Sequence, residues 1–75
     1  MSYTVDTIQL RKAMLDAGFT TIVELSHDSG VSRVTIGGIL DGKLRPSSAV
    51  IEKIADSLSL SGNDIGLIFF SQKLA

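Results

Sequence analysis

Apolar residues recur along the chain at helical spacing, and no stretch alternates strictly enough to predict a strand. From about Val5 to Ala17 they form two stripes: Leu10, Ala13, Met14 and Ala17 on one side, Val5, Ile8 and Leu15 nearly opposite. A first helix buried on two sides is expected there, stopped by Gly18. Thr21-Ile22-Val23-Glu24 has the spacing of a capping box, so a second helix starts at Thr21 and runs to about Asp28. Ser29-Gly30 breaks it, since Gly30 is free to take the positive φ of a sharp turn. Ser32 then caps a third helix, to about Leu40, with Ile36, Ile39 and Leu40 on one face and Val34, Gly37, Gly38 and Asp41 on the other. A loop over Asp41-Gly42-Lys43-Leu44-Arg45-Pro46 leads to a fourth helix, capped by Ser47 or Ser48 and carrying Val50, Ile51, Ile54, Ala55 and Leu58 inward. Ser61-Gly62-Asn63-Asp64 restarts the chain into a fifth helix, about Asp64 to Lys73, with Ile65, Ile68 and Phe69 on one stripe and Leu67, Phe70 and Leu74 on another. The expected fold is all-α, a single five-helix domain over residues 1–75.

Length and composition narrow the function. At 75 residues with 44% hydrophobic content and one Pro, the chain suits one small folded domain rather than a linker or disordered tail. It has no Cys, so neither a disulfide nor a thiolate metal site is available, and a reducing, cytoplasmic setting is expected. No apolar run approaches the ~20 residues that span a bilayer, and the first residues lack the basic flank and apolar stretch of a signal peptide. No membrane role is expected. One His, one Tyr and singly scattered acids make a poor catalytic inventory, so no enzyme and no cofactor is expected. His27, beside Asp28 with no second His or Cys to join it, reads as a surface residue and not a metal ligand.

Charge distribution changes the picture more than total charge. The net charge is −1, which by itself argues against a nucleic-acid partner. Yet between Ser32 and Lys53 the chain carries Arg33, Lys43, Arg45 and Lys53 against only Asp41 and Glu52, while the remainder holds three positive and six negative residues. Positive charge is gathered around the third helix and the loop that follows it.

Leu25 and small Ser26 stand in the second helix, Gly30 at the turn with Val31 after it, Ile36 and Ile39 at the buried positions of the third helix, and Gly42 just beyond its end. In this pattern Leu25 to Gly42 resembles the helix-turn-helix of the lambda-repressor/Cro (XRE) family, the third helix standing as its recognition helix. The spacings have physical reasons: a small residue at Ser26 lets two helices cross closely, Gly30 makes the turn, and the aliphatic residues pin the recognition helix to the core. Leu10-Arg11-Lys12-Ala13 with Gly18-Phe19-Thr20 is similar to the family's first helix and exit, and Arg45-Pro46-Ser47 leading to Ile54-Ala55-Asp56-Ser57-Leu58 to its fourth. The resemblance covers about Leu10 to Leu60. Three features depart from it. Ile22 stands where many members carry a DNA-contacting Gln, and the spacing from Gly18 to Leu25 is one residue longer. Met14 and Leu40 stand where many members pair Arg with Glu, as expected if a buried ion pair was exchanged whole for packing.

The resemblance implies a double-stranded DNA partner, with the start of the third helix entering a major groove. Arg33, Val34 and Gly38 then reach base edges, with Ser32 and Thr35 near phosphates. Arg33 suits a guanine, which it grips at O6 and N7, and Val34 suits a thymine methyl, so the expected half-site places a G next to a T. Gly37-Gly38 inside a helix costs ~0.8 to 1.0 kcal/mol each relative to Ala. Close approach to DNA accounts for both glycines, while packing against a neighbouring helix or a frayed helix end accounts for at least one. Lys43 and Arg45 suit phosphate contacts that fix register, or simple solubility. Thr20 and Thr21 offer hydroxyls and helix N-terminal amides to a phosphate, although capping alone explains them.

The stripe Leu67, Phe70 and Leu74 suits a homodimer interface, or else packing against the Val5, Ile8 and Leu15 stripe of the first helix. A two-fold dimer sets two recognition helices ~34 Å apart and calls for a pseudo-palindromic operator. The expectation is a small dimeric repressor of phage or mobile-element type. The alternative is a helical protein-interaction module, antitoxin-like or partner-binding, that keeps the fold without specific DNA binding.

Overall fold

The computed structural model describes residues 3–72. Five helices follow in order: α1 (Thr7–Asp16), α2 (Ile22–Ser29), α3 (Arg33–Leu40), α4 (Ser48–Leu58) and α5 (Gly62–Phe69). Each starts at a side-chain oxygen that takes up an otherwise unpaired N–H of the first turn: Asp6 for α1, Thr21 for α2, Ser32 for α3, Ser47 for α4 and Ser61 for α5. At Thr21 and again at Ser61 the cap is reciprocal, with Glu24 and Asp64 accepting the N–H of the capping residue.

The inward residues of all five helices meet in one core. Leu25, Ile39 and Ile54 are wholly buried, and Leu10 and Ile36 nearly so. Among the described residues no polar or charged side chain is buried. Met14 and Leu40 both lie in this core, so the two positions expected to hold packing in place of an ion pair do hold apolar side chains.

Three expectations are corrected. First, the Ile8 and Leu15 stripe of α1 is not buried. Those side chains are 75% and 62% exposed, because the partners of α1, α3 and α5, lie only on its Leu10 and Met14 side. Val5 precedes the helix and is partly buried against the core. Second, the chain contains a short strand pair: β1 (Tyr3–Thr4) lies antiparallel to β2 (Ser71–Gln72), with Tyr3 opposite Gln72 and Thr4 opposite Ser71. Two residues a side are too short to show alternation, so the pairing leaves no periodic signal. It is reinforced by the Asp6 N–H donating to the Ile68 carbonyl at 2.7 Å and by an edge-to-face contact of the Tyr3 and Phe70 rings, 6.1 Å between centroids. Third, α5 ends at Phe69 and does not continue toward Lys73. Phe70 takes φ −124 and ψ 41, and the chain turns into β2. Leu67 and Phe70 are exposed but no longer share one continuous helical stripe, and Leu74 lies outside the described residues.

Candidate nucleic-acid interface

The turn between α2 and α3 is fixed by three local devices. Gly30 adopts φ +76, the left-handed conformation that closes α2. Ser26 donates its hydroxyl to the Val31 carbonyl at 2.6 Å, and the Val31 N–H donates to the Ser29 hydroxyl at 3.1 Å. Val31 then inserts its side chain into the core. Size alone explains a small residue at Ser26. The clamp on the turn requires its hydroxyl, and a serine bonding five residues ahead has no sequence signature that would have disclosed it.

With Ile36, Ile39 and Leu40 anchored inward, α3 turns its other face to solvent. Arg33 is exposed, and Val34 is 86% exposed, the most exposed large apolar side chain in the described residues. Ser32 accepts the Thr35 N–H at 3.2 Å and donates its hydroxyl to the Thr35 Oγ1 at 2.8 Å. Gly37 and Gly38, one turn further along, are half-buried and differ in their surroundings. A Cβ added at Gly37 would meet no atom within 4 Å. One added at Gly38 would lie 3.0 Å from the Leu44 Cβ, because the loop after α3 folds back over it. The Lys43 and Leu44 N–H groups hold that loop by donating to the Gly38 carbonyl at 2.9 and 3.0 Å. Intrachain packing therefore accounts for Gly38 and leaves Gly37 without an internal reason.

Lys43 and Arg45 are both exposed on this loop, beside α3. Arg45 also has an internal task, donating from Nη1 to the Tyr3 carbonyl at 2.8 Å and so tying β1 to the loop. At the start of α2 the polar groups are paired among themselves. Glu24 Oε1 accepts from the Thr20 hydroxyl at 2.7 Å, the Thr21 N–H at 3.0 Å, and the Thr20 N–H and Thr21 hydroxyl at 3.1 Å each. These bonds, the Thr20 hydroxyl foremost, hold the Glu24 carboxyl below its usual value. Thr21 thus spends its hydroxyl and its N–H on the cap, and a carboxylate already occupies the positive end of the helix. His27 is exposed, and among the described residues no group of three or more His, Cys, Asp or Glu is arranged to hold a metal ion. No helix in this range is long and apolar enough to cross a membrane.

A helix, a glycine turn and a second helix pinned by its inner face, with an exposed Arg-Val start, define a helix-turn-helix. Residues 9–65 match the family described as the Cro/C1-type HTH DNA-binding domain, and the chain belongs to that family. Its fold is also that of the restriction-modification controller protein C.AhdI from Aeromonas hydrophila, known from a high-resolution crystal structure. The two are 25% identical and superpose with a TM-score of 0.70 over 79% of this chain and 88% of the other. No curated protein matches the chain.

Proposed function

We propose that this protein is a sequence-specific transcriptional regulator, a small repressor of phage or mobile-element type that binds a pseudo-palindromic operator in the cytoplasm as a homodimer. The single observation that carries the reading is the face of α3, where a free Arg33 and a nearly bare Val34 stand on a helix whose opposite side is locked into the core. Arg33 reads a guanine through its O6 and N7, and Val34 packs on an adjacent thymine methyl. Lys43 supplies affinity by contacting phosphate. Arg45 adds to it with the donors not spent on Tyr3, and Ser32 and Thr35 hold register at the helix start. Thr21 and the amides at the start of α2 contribute least, because Glu24 stands between them and any phosphate. Family membership supports a duplex DNA partner, and the likeness to a restriction-modification controller supports a regulatory role.

The dimer reading rests on Leu67 and Phe70, 61% and 43% exposed, with no covering from Ile8 or Leu15, which also face solvent. These same exposed side chains favour the second reading, a module that holds a protein partner through its apolar surface. Salt separates the two. Binding of labelled duplex, followed by fluorescence anisotropy, should weaken steeply between about 50 and 200 mM salt, because each phosphate contact releases counterions. A protein that ignores duplex at every salt concentration is the partner-binding module instead.

A further inference from the structure

Gly38 occupies the turn of α3 directly above Val34, four residues on and on the same face. Having no side chain, Gly38 leaves a gap at this place on the face. The space is not empty: Leu44 fills it from the loop, its Cβ 3.0 Å and its Cδ2 3.5 Å from where a Gly38 Cβ would stand. Two backbone hydrogen bonds, from the Lys43 and Leu44 N–H groups to the Gly38 carbonyl, hold it there. Leu44 is nevertheless 43% exposed, so it does not serve only to bury itself. Its neighbour Lys43 is a loop cation suited to phosphate, which orients the same loop toward the duplex.

We propose that Leu44 is a specificity-determining residue that replaces the missing side chain at Gly38 and extends the apolar strip begun by Val34. The ligand of this strip is the 5-methyl group of a thymine in the major groove, the one apolar feature that base edges present there. The glycine is what admits a loop side chain to the face of the recognition helix, so Gly38 and Leu44 act as a pair. This inference rests on the DNA-binding reading above.

The test uses the operator that the full chain selects from random duplex. Each thymine of that operator is replaced in turn by uracil, which removes only the methyl. Binding is then compared for the wild-type protein, Val34→Ala and Leu44→Ala. At one thymine, loss of the methyl should weaken wild-type and Val34→Ala binding about fourfold, as expected for one buried methyl. In Leu44→Ala the same replacement should have no effect. Leu44→Asn, branched at the same Cγ and still able to cover Gly38, should lose that methyl response too, and this guards against a collapse of the loop in the alanine variant. If every methyl response survives in both Leu44 variants, or the wild-type protein responds to no methyl, Leu44 reads nothing and the proposal is overturned while the regulator reading stands. Selection of no operator by the folded wild-type protein would overturn both.

Discussion

Gly37 and Gly38 are sequence neighbours with opposite surroundings, and substitution distinguishes them. A side chain at Gly37 enters open space, so Gly37→Ala should raise stability by ~0.8 to 1.0 kcal/mol, the usual helical difference between the two residues. Gly38→Ala gains less, because its Cβ presses on Leu44 at 3.0 Å and the loop must shift. Chemical denaturation of the two variants measures the contrast. Equal gains would mean that Leu44 yields freely. If the bare backbone at Gly37 serves close approach to DNA, Gly37→Ala should bind duplex more weakly while being the more stable protein. A second prediction at this scale concerns Glu24. Its folded-state carboxyl lies below the ordinary value of 4.5, held there by Thr20 and Thr21. A lowered value means that the stabilisation is present above the ordinary value and lost as pH falls through the folded one. The wild-type protein should therefore be more stable than Glu24→Gln near neutral pH, and the difference should vanish in acid. Thermal melts of both proteins across pH 2 to about 7 test this, and a difference that persists in acid would assign the role of Glu24 to shape instead of charge.

Between elements, the contact of α1 with α3 is the informative one. Met14 and Leu40 are 6% and 4% exposed in a core that contains no buried polar side chain among the described residues. Introducing one charge alone, as Met14→Arg or Leu40→Glu, should destabilise by ~3 to 5 kcal/mol, since a buried charge is left without its partner. Introducing both should recover much of that loss if the two side chains face each other across the contact of α1 with α3. Denaturation of the two single variants and the double variant decides it, and a double variant no better than the worse single one would separate the two sites. How far each element was legible follows from how local its cause is. The caps at Thr21 and Ser32 and the turn at Gly30 were readable because each involves residues within a few positions of one another. Ile8 and Leu15 face solvent against expectation, because periodicity says which residues share a face and nothing about whether another element covers it. The β1–β2 pairing joins opposite ends of the chain through two residues each, and the Leu44 contact bridges a loop, so neither carries a repeating pattern to detect. Arg33 and Val34 were legible as site candidates because the buried spacing of Ile36, Ile39 and Leu40 dictates which way they face.

For the molecule as a whole, the loop after α3 and the exposed apolar residues of the C-terminal segment meet at the strand pair. Arg45 bonds the Tyr3 carbonyl, and the Tyr3 ring lies on Phe70. Leu67, one turn earlier on α5, is the exposed apolar residue outside that junction and so the one to test for self-association. Sedimentation equilibrium should show a dimer for the wild-type protein, and Leu67→Glu should shift it to monomer without lowering the melting temperature of the monomeric fold. A monomeric wild-type protein at all concentrations would remove Leu67 from any interface.

The most direct test of the central claim is selection from random duplex at low salt, performed in parallel with the wild-type protein and Arg33→Ala. The account predicts enrichment of a two-fold-symmetric site whose half-sites are spaced about 10 base pairs apart, with a G beside a T in each, and loss of that enrichment in Arg33→Ala. A folded wild-type protein that enriches no sequence, or an Arg33→Ala variant that selects the same site as strongly, would contradict it.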